Sequence, residues 1–275
     1  MSSSRKLMSW KCMRMARSRQ IWSSFWTARD LIRSTRSTTP CTTRTRPFRR
    51  GERGCSSSDQ NDSRPVMNEA TSIRSTVAAY YASKLATFGP TPQGVDWNGA
   101  GSHELRHRQF LRLIAGDREA SVLDLGCGFG DFLRFLRAEG HQGPFIGYDV
   151  AADMIAEAMR LHGNTSNCQW QVGAEPAETM DFAIASGILN VKGDVPTETW
   201  ARYVHDTIDI LARVGRRGFA FNVLSLSSDP DRRRDDLYYA DPGEMLTYCM
   251  RRYGRSVALL QDYGLYEFTV IVRTV

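Results

Sequence analysis

The chain has 275 residues, of which 41% are hydrophobic, enough for one domain of ordinary size with its own core. It contains no run of about 18 apolar residues, so the sequence predicts no membrane-spanning helix. The net charge of +6 is unevenly distributed, because residues 1–66 hold 15 Lys and Arg against 4 Asp and Glu, whereas the remainder holds 21 against 26. The sequence therefore predicts a basic arm attached to a mildly acidic domain.

The arm, residues 1–66, is rich in Arg, Ser and Thr and lacks the periodic apolar pattern of a foldable segment. We therefore expect it to be largely disordered. Three interpretations stay open. Its composition is that of an organellar transit peptide, or its basic and aromatic residues contact nucleic acid or an anionic membrane. The third, which we favour, is that the protein starts at Met67 and that residues 67–275 form the domain.

Two helices are predicted before the first strand. Apolar residues from Ile73 to Leu85 recur at helical spacing, and Phe88-Gly-Pro90 ends the first helix. After a loop containing Trp97 and Asn98, Ser102 is the expected N-cap of a second helix that runs through Ile114.

The second helix contains His103-Glu-Leu-Arg-His107, which matches the H-E-x-x-H pattern of zinc proteases. A catalytic zinc needs a third protein ligand, and His141, His162 and His205 lie in no supporting motif. We therefore interpret the match as formal and expect no metal, with a solvated or cavity-facing helix as the preferred interpretation.

The most informative segment is Val122-Leu-Asp-Leu-Gly-Cys-Gly-Phe-Gly-Asp131, a buried strand that ends in a glycine-rich turn and leads into an apolar-periodic helix. A dinucleotide fingerprint would place its third glycine where Asp131 stands, and a carboxylate there would repel a pyrophosphate. Asp124, inside the strand, likewise favours a cationic or hydroxylated ligand. A second short strand, Phe145–Asp149, ends in an acidic residue about 20 residues further on, where a nucleoside-binding unit places the carboxylate for its ribose.

The glycine turn L-D-L-G-C-G-x-G and Asp149 resemble motif I of the class I S-adenosylmethionine-dependent methyltransferases. The resemblance extends over residues 67–275 and implies S-adenosylmethionine as cofactor, with Glu175 near the adenine and Ser186 in the fourth motif, near the methyl donor. The cofactor-binding residues that it implies are Asp124, Gly126, Cys127, Gly128, Gly130, Asp149, Val150, Met154, Glu175 and Ser186.

The rest of the chain alternates strands and helices. Strands are predicted at Cys168–Val172, Asp181–Gly187 and 219–224, a helix opens at Pro196, and 257–260 pairs with 266–272 as an antiparallel closing pair. The expected fold is α/β, a doubly wound seven-stranded Rossmann-like methyltransferase sheet with an antiparallel last strand, an N-terminal helical lid and a disordered basic arm.

The acceptor is predicted to be a small molecule, because the acidic domain has neither a spare recognition domain nor an obvious basic face. The cysteines form no C-x-x-C pair, so we expect a cytoplasmic protein, or an organellar one if the arm is a transit peptide. The sequence indicates no membrane partner and favours no nucleic-acid partner.

The competing hypotheses are a cofactor-binding protein without catalysis, an RNA or protein methyltransferase that uses the arm, and the less favoured NAD-dependent oxidoreductase. No general base is assigned. The residues predicted to enclose the acceptor are Tyr80, Trp97, Asn98, Asn190, Asn222, Tyr238 and Tyr239.

Overall fold

The computed structural model describes residues 63–97 and 100–274. The predictions for the arm up to residue 62 and for Asn98 therefore lie outside the described residues. In the described part of the chain, strands and helices alternate along the sequence from residue 122 onwards, as the sequence predicts.

The centre of the fold is one mixed sheet with the order β3-β2-β1-β4-β5-β8-β7. Strands β1 to β5 pair in parallel, whereas β8 runs antiparallel to both of its neighbours, β5 and β7. The predicted doubly wound seven-stranded sheet with an antiparallel last strand is therefore confirmed, and a short strand, β6, is added to it. The strands are β1 (Val122–Leu125), β2 (Phe145–Asp149), β3 (Cys168–Val172), β4 (Met180–Ala185), β5 (Gly215–Ser225), β6 (Tyr239–Ala240), β7 (Val257–Leu260) and β8 (Glu267–Arg273).

Helices cover both faces of this sheet. Alternate residues of each strand point to opposite faces, so that Leu123 and Leu125 join one buried cluster with Trp200, whereas Val122 joins another with Phe110. The helices are α1 (Ser63–Phe88), α2 (Ala100–Ile114), α3 (Asp131–Ala138), α4 (Ala152–His162), α5 (Thr197–Val214) and α6 (Pro242–Tyr253), with short 3-10 helices at Pro92–Val95 and Pro230–Arg232.

The structure corrects several predicted boundaries. Helix α2 begins at Ala100, so Ser102 lies inside its first turn and the predicted N-cap is wrong. Helix α1 is described from Ser63, ahead of Ile73, where the apolar pattern of the predicted helix begins. Strand β5 starts at Gly215, earlier than predicted, because the polar residues Arg216 and Arg217 hide its beginning from an apolar pattern.

Strand β6 was not predicted from the sequence. Its two residues pair in parallel with Leu224 and Ser225 of β5. Two residues are too few to produce a recognisable alternation of apolar and polar side chains. None of the helices in residues 63–97 and 100–274 combines the length and the apolar character needed to cross a membrane.

Candidate functional site

The glycine turn between β1 and α3 depends on glycine for both its backbone and its packing. Gly126, Gly128 and Gly130 have φ angles of +78°, +54° and +84°, in the left-handed region that other residues avoid. A Cβ on Gly126 would also lie 2.0 Å from Ile188 Cγ2, and one on Gly130 would lie 2.4 Å from the Trp170 ring. The turn is thus fitted closely between the ends of β2, β3 and β4.

Asp149, the last residue of β2, holds this turn through its carboxylate. Its Oδ2 accepts a hydrogen bond from Gly128 N at 2.9 Å, and its Oδ1 accepts one from Ala151 N at 2.8 Å. Burial raises the pKa of Asp149, while these backbone donors oppose the rise. The carboxylate lies beside the glycine turn at the edge of the sheet where the sequence places it.

Two buried polar groups next to the turn have no hydrogen-bond partner among the described residues. They are Asp124 Oδ1 and the hydroxyl of Ser186. Burial, together with the nearby charge of Asp149, raises the pKa of Asp124 to about 8. Since buried polar atoms are normally paired, both groups indicate a polar ligand at this position.

A continuous cavity of about 240 Å³ opens above the glycine turn. Its base is formed by the carboxyl ends of β1, β2, β3 and β4, and its roof by α1, α2 and the segments before α2 and before β6. The base includes Asp124, Gly126, Cys127, Gly128, Asp149, Val150, Met154, Ala174, Ser186 and Ile188, and the roof includes Arg74, Tyr81, Val95, Asp96, Trp97, His103, Arg106, His107, Arg234 and Leu237.

The roof before α2 is held by Asp96, which adopts a left-handed conformation with φ of +61°. Tyr80 Oη donates to Asp96 Oδ2 at 2.8 Å, and Lys84 Nζ donates to Asp96 Oδ1 at 2.7 Å. The following residue, Trp97, packs closely on Gly187. A Cβ added to Gly187 would lie 2.4 Å from the indole ring of Trp97. Tyr80 therefore supports the roof from behind rather than lining the cavity.

A buried ion pair connects the roof to the sheet. Arg106 of α2 stacks on Trp97, with its guanidinium carbon 3.6 Å from the ring centre, and its Nε donates to Glu267 Oε2 at 2.7 Å. Glu267 Oε1 accepts from Asn222 Nδ2 at 3.0 Å, and Asn222 Oδ1 accepts from Gly187 N at 2.7 Å. Burial raises the pKa of Glu267, and Arg106 opposes that rise.

His103 and His107 of α2 face Asp131, the first residue of α3. The distance from Asp131 Oδ2 to Nδ1 is 3.1 Å for His103 and 3.9 Å for His107. Burial lowers the pKa of both imidazoles, so that they are neutral near pH 7. The Glu104 side chain lies apart from them, since it is exposed and bonds to Arg108.

The segment between β5 and β6 is fixed against the residues that follow β4. Lys192 N and Gly193 N donate to Asp236 O, and Tyr238 N donates to Asn190 O at 2.7 Å. Asn190 lines the cavity while its Oδ1 accepts from Leu224 N at 3.1 Å. This part of the wall is therefore anchored by backbone hydrogen bonds.

Several residues predicted from the sequence lie outside the cavity wall. Tyr238 is buried in the core, and Tyr239 Oη accepts from Arg234 N at 3.0 Å. Glu175 is exposed and pairs with Arg74, whose side chain does line the cavity. Asn222 acts one layer behind the wall, through Gly187.

Arg106, Asp131 and Arg234 are among the cavity-lining residues that were not predicted from the sequence. Asp131 was considered only as an obstacle to pyrophosphate binding, although its position beside two imidazoles could have been suspected from the paired histidines of α2. No local sequence pattern indicates either arginine. Arg106 pairs with Glu267, which is distant in the sequence, and Arg234 reaches the cavity only because of the path of its loop.

The chain matches known methyltransferases over most of this structure. Residues 100–262 match the model of a methyltransferase domain family. A Mycobacterium tuberculosis protein described as a methyltransferase is 43% identical over 164 residues, which are 59% of this chain and 98% of that protein. The malonyl-[acyl-carrier protein] O-methyltransferase of Enterobacter lignolyticus is 31% identical over 137 residues, 48% of this chain and 51% of that protein.

Solved structures share the fold at low sequence identity. Magnesium protoporphyrin IX methyltransferase from Synechocystis PCC 6803 with bound S-adenosylhomocysteine has a TM-score of 0.53 and 14% identity, covering 74% of this chain and 99% of that one. The N-methyltransferase NodS from Bradyrhizobium japonicum WM9 has a TM-score of 0.52 and 19% identity, covering 72% and 97%. The chain therefore belongs to the methyltransferase domain family and has the fold of the class I S-adenosylmethionine-dependent methyltransferases.

Proposed function

We propose that this protein transfers a methyl group from S-adenosylmethionine to a small molecule enclosed in the cavity above the glycine turn. The observation that carries the proposal is the continuity of that cavity. One wall is the glycine turn with Asp124 and Asp149, and the opposite wall is the roof containing Trp97 and Arg106. A donor and an acceptor could thus meet in one shared space.

The chemistry of the base suits this cofactor. Asp149 offers a carboxylate for ribose hydroxyls, and the unpartnered oxygen of Asp124 suits a cationic ammonium group. Val150 and Met154 add apolar surface to the base of the cavity.

The proposed reaction mainly requires the protein to position the methyl donor and the acceptor. A sulfonium carries its own leaving group, so the protein has to align the acceptor, the methyl carbon and the sulfur and to exclude water. The roof residues serve this purpose, because Trp97 packs closely on Gly187 and its ring is covered by the Arg106 guanidinium. Alignment would then depend on fixed aromatic and backbone surfaces.

The charge of the cavity favours a small acceptor over a nucleic acid. Its three arginines each have an acidic partner, since Arg74 pairs with Glu175, Arg106 with Glu267 and Arg234 with Asp236. A surface that binds a phosphate backbone needs cations available for the phosphates. The described wall of the cavity therefore does not resemble a polyanion-binding groove.

The test has two stages with the full-length protein. Calorimetry should show binding of S-adenosylmethionine and S-adenosylhomocysteine but not of NAD. Incubation with radiolabelled methyl donor and separate metabolite, tRNA and protein fractions should then place the label in the metabolite fraction. Binding of NAD alone would support an oxidoreductase, label only in RNA or polypeptide would contradict the enclosed acceptor, and label in no fraction would favour a binding protein without catalysis.

A further inference from the structure

The structure brings a third donor side chain, from Asp131, to the two histidines that the sequence places on one helix. His103 and His107 stand one helical turn apart on α2, and their imidazole centres lie 4.4 Å from each other. Asp131 is contributed by α3, and one ligand atom from each of the three residues lies within 4.8 Å of the other two. All three line the cavity.

We propose that His103, His107 and Asp131 form a binding site for a first-row divalent metal ion of the Zn²⁺ type. Two imidazoles and one carboxylate are the donor set of three-ligand zinc sites that keep an open position. With bonds of about 2.0 Å, tetrahedral ligand atoms stand roughly 3.3 Å apart. The distances of 3.1 Å and 3.9 Å to Asp131 Oδ2 bracket this value, so small side-chain rotations would bring the ligands around an ion.

The surroundings of the three residues suit metal ligands. Asp131 Oδ1 accepts from Arg134 Nε at 2.7 Å, which orients the carboxylate and leaves Oδ2 towards the histidines. The His103 ring stacks on Trp97, and the His107 ring contacts Phe132 and Phe135.

A hydrogen-bonded pair alone would not explain the arrangement. His103 can share a hydrogen bond with Asp131, but the 3.9 Å separation puts His107 beyond that reach. His107 nevertheless turns Nδ1 towards the same carboxylate oxygen from a buried position. One ion would satisfy both imidazoles and the carboxylate together.

The site differs from that of a zinc protease. The H-E-x-x-H glutamate would have to reach a metal-bound water, but Glu104 is exposed and bonded to Arg108. An open metal position would face the cavity instead, because all three ligand residues line it. If the proposed function holds, the acceptor class is a molecule with a hydroxyl that binds the ion and loses its proton more easily there. Metal binding itself does not depend on that assumption.

The test uses full-length protein freed of metal with EDTA and titrated with ZnCl₂ by calorimetry. We expect one Zn²⁺ per chain and no comparable binding of Mg²⁺, which prefers oxygen ligands. His107→Gln and Asp131→Asn should each weaken Zn²⁺ binding by more than the roughly 100-fold that loss of a supporting group can cause. The matched control, Glu104→Gln, should bind Zn²⁺ like the unaltered protein.

A second measurement does not depend on the variants. Adding Co²⁺ to the unaltered protein should give the visible absorption of a four- or five-coordinate site, and Zn²⁺ should remove it. Absence of stoichiometric Zn²⁺ binding, or equal Zn²⁺ affinity in the unaltered protein and in all variants, would overturn the metal site. S-adenosylhomocysteine binding by the metal-free protein is measured in parallel, so a failure of the proposed function is recognised separately.

Discussion

The buried pair of Arg106 and Glu267 allows a quantitative test of how the roof is attached to the sheet. Replacing Glu267 by Gln preserves the shape of the side chain but removes its charge and one acceptor oxygen. In the structure the two carboxylate oxygens serve two different donors, Arg106 and Asn222. Asn222 cannot turn its amide to compensate, because its Oδ1 already accepts from Gly187 N. The new side-chain NH₂ group would therefore face the N–H donor of either Arg106 or Asn222, and that hydrogen bond would be lost.

The expected loss of stability is large for the replacement of one side chain by another of the same shape. Glu267 is fully buried and Arg106 largely so, and neutralising one member of a buried ion pair costs about 3–5 kcal/mol of unfolding free energy because the other charge loses its ionic partner. For a domain of this size, 1 kcal/mol corresponds to about 2–4 °C in Tm, so Glu267→Gln should lower Tm by roughly 6–20 °C. Glu104→Gln, in an exposed pair with Arg108, should cost only a few tenths of a kcal/mol.

Urea unfolding followed by circular dichroism measures both variants, with S-adenosylhomocysteine affinity as a second reading. Arg106→Met combined with Glu267→Gln should restore part of the lost stability, because no unpaired charge then remains. Affinity should fall in Glu267→Gln, since Gly187 depends on Asn222 for its position. Equal stability of the Glu267 and Glu104 variants would refute the reasoning, because it would mean that the buried pair contributes no more than the exposed one.

Three further changes test the base of the cavity. Gly126→Ala should abolish S-adenosylhomocysteine binding in calorimetry, whereas Gly163→Ala, with a similar φ of +73° but open space around it, should retain it. Asp149→Asn leaves one acceptor oxygen for two backbone donors, so affinity should fall about 10–100-fold, and unchanged affinity would contradict the assigned role. The pKa of Asp124 is raised to about 8 in the fold from 3.8, so its contribution to stability is complete below about pH 4 and is lost as the pH rises towards 8. Asp124→Asn should remove this decline in urea midpoints, and persistence of the decline would implicate another group.

The parallel part of the fold could be predicted because its signals are local. The apolar run before Gly126 and the carboxylate that ends β2 each announce their element within a few residues. The helix start at Ala100, by contrast, was misplaced because a good capping residue, Ser102, also fits inside a first turn. The two-residue β6 exists only because β5 offers it a partner.

The candidate site also has a part that local sequence patterns predict and a part that they do not. Asp124, Gly128 and Asp149 meet at the glycine turn because consecutive parallel strands end at one edge of a sheet, which the sequence order dictates. The Arg106–Glu267 pair joins residues 161 positions apart, and no local pattern reports such a pairing. Tyr239 lies in β6 and Tyr238 directly before it, and the direction of both side chains depends on how this segment crosses the sheet.

The attachment of Asp96 to α1 has a consequence for the kinetics of the protein. Tyr80 and Lys84 bind the Asp96 carboxylate, and Tyr81 and Leu85 pack with Val95 against the base of the cavity. Helix α1 and residues 92–97 must therefore move as one body when the cavity is uncovered on this side. Such collective movements take microseconds to milliseconds. Exchange of cofactor and product would then share one opening step, and its rate would set an upper limit on turnover however fast the methyl group is transferred.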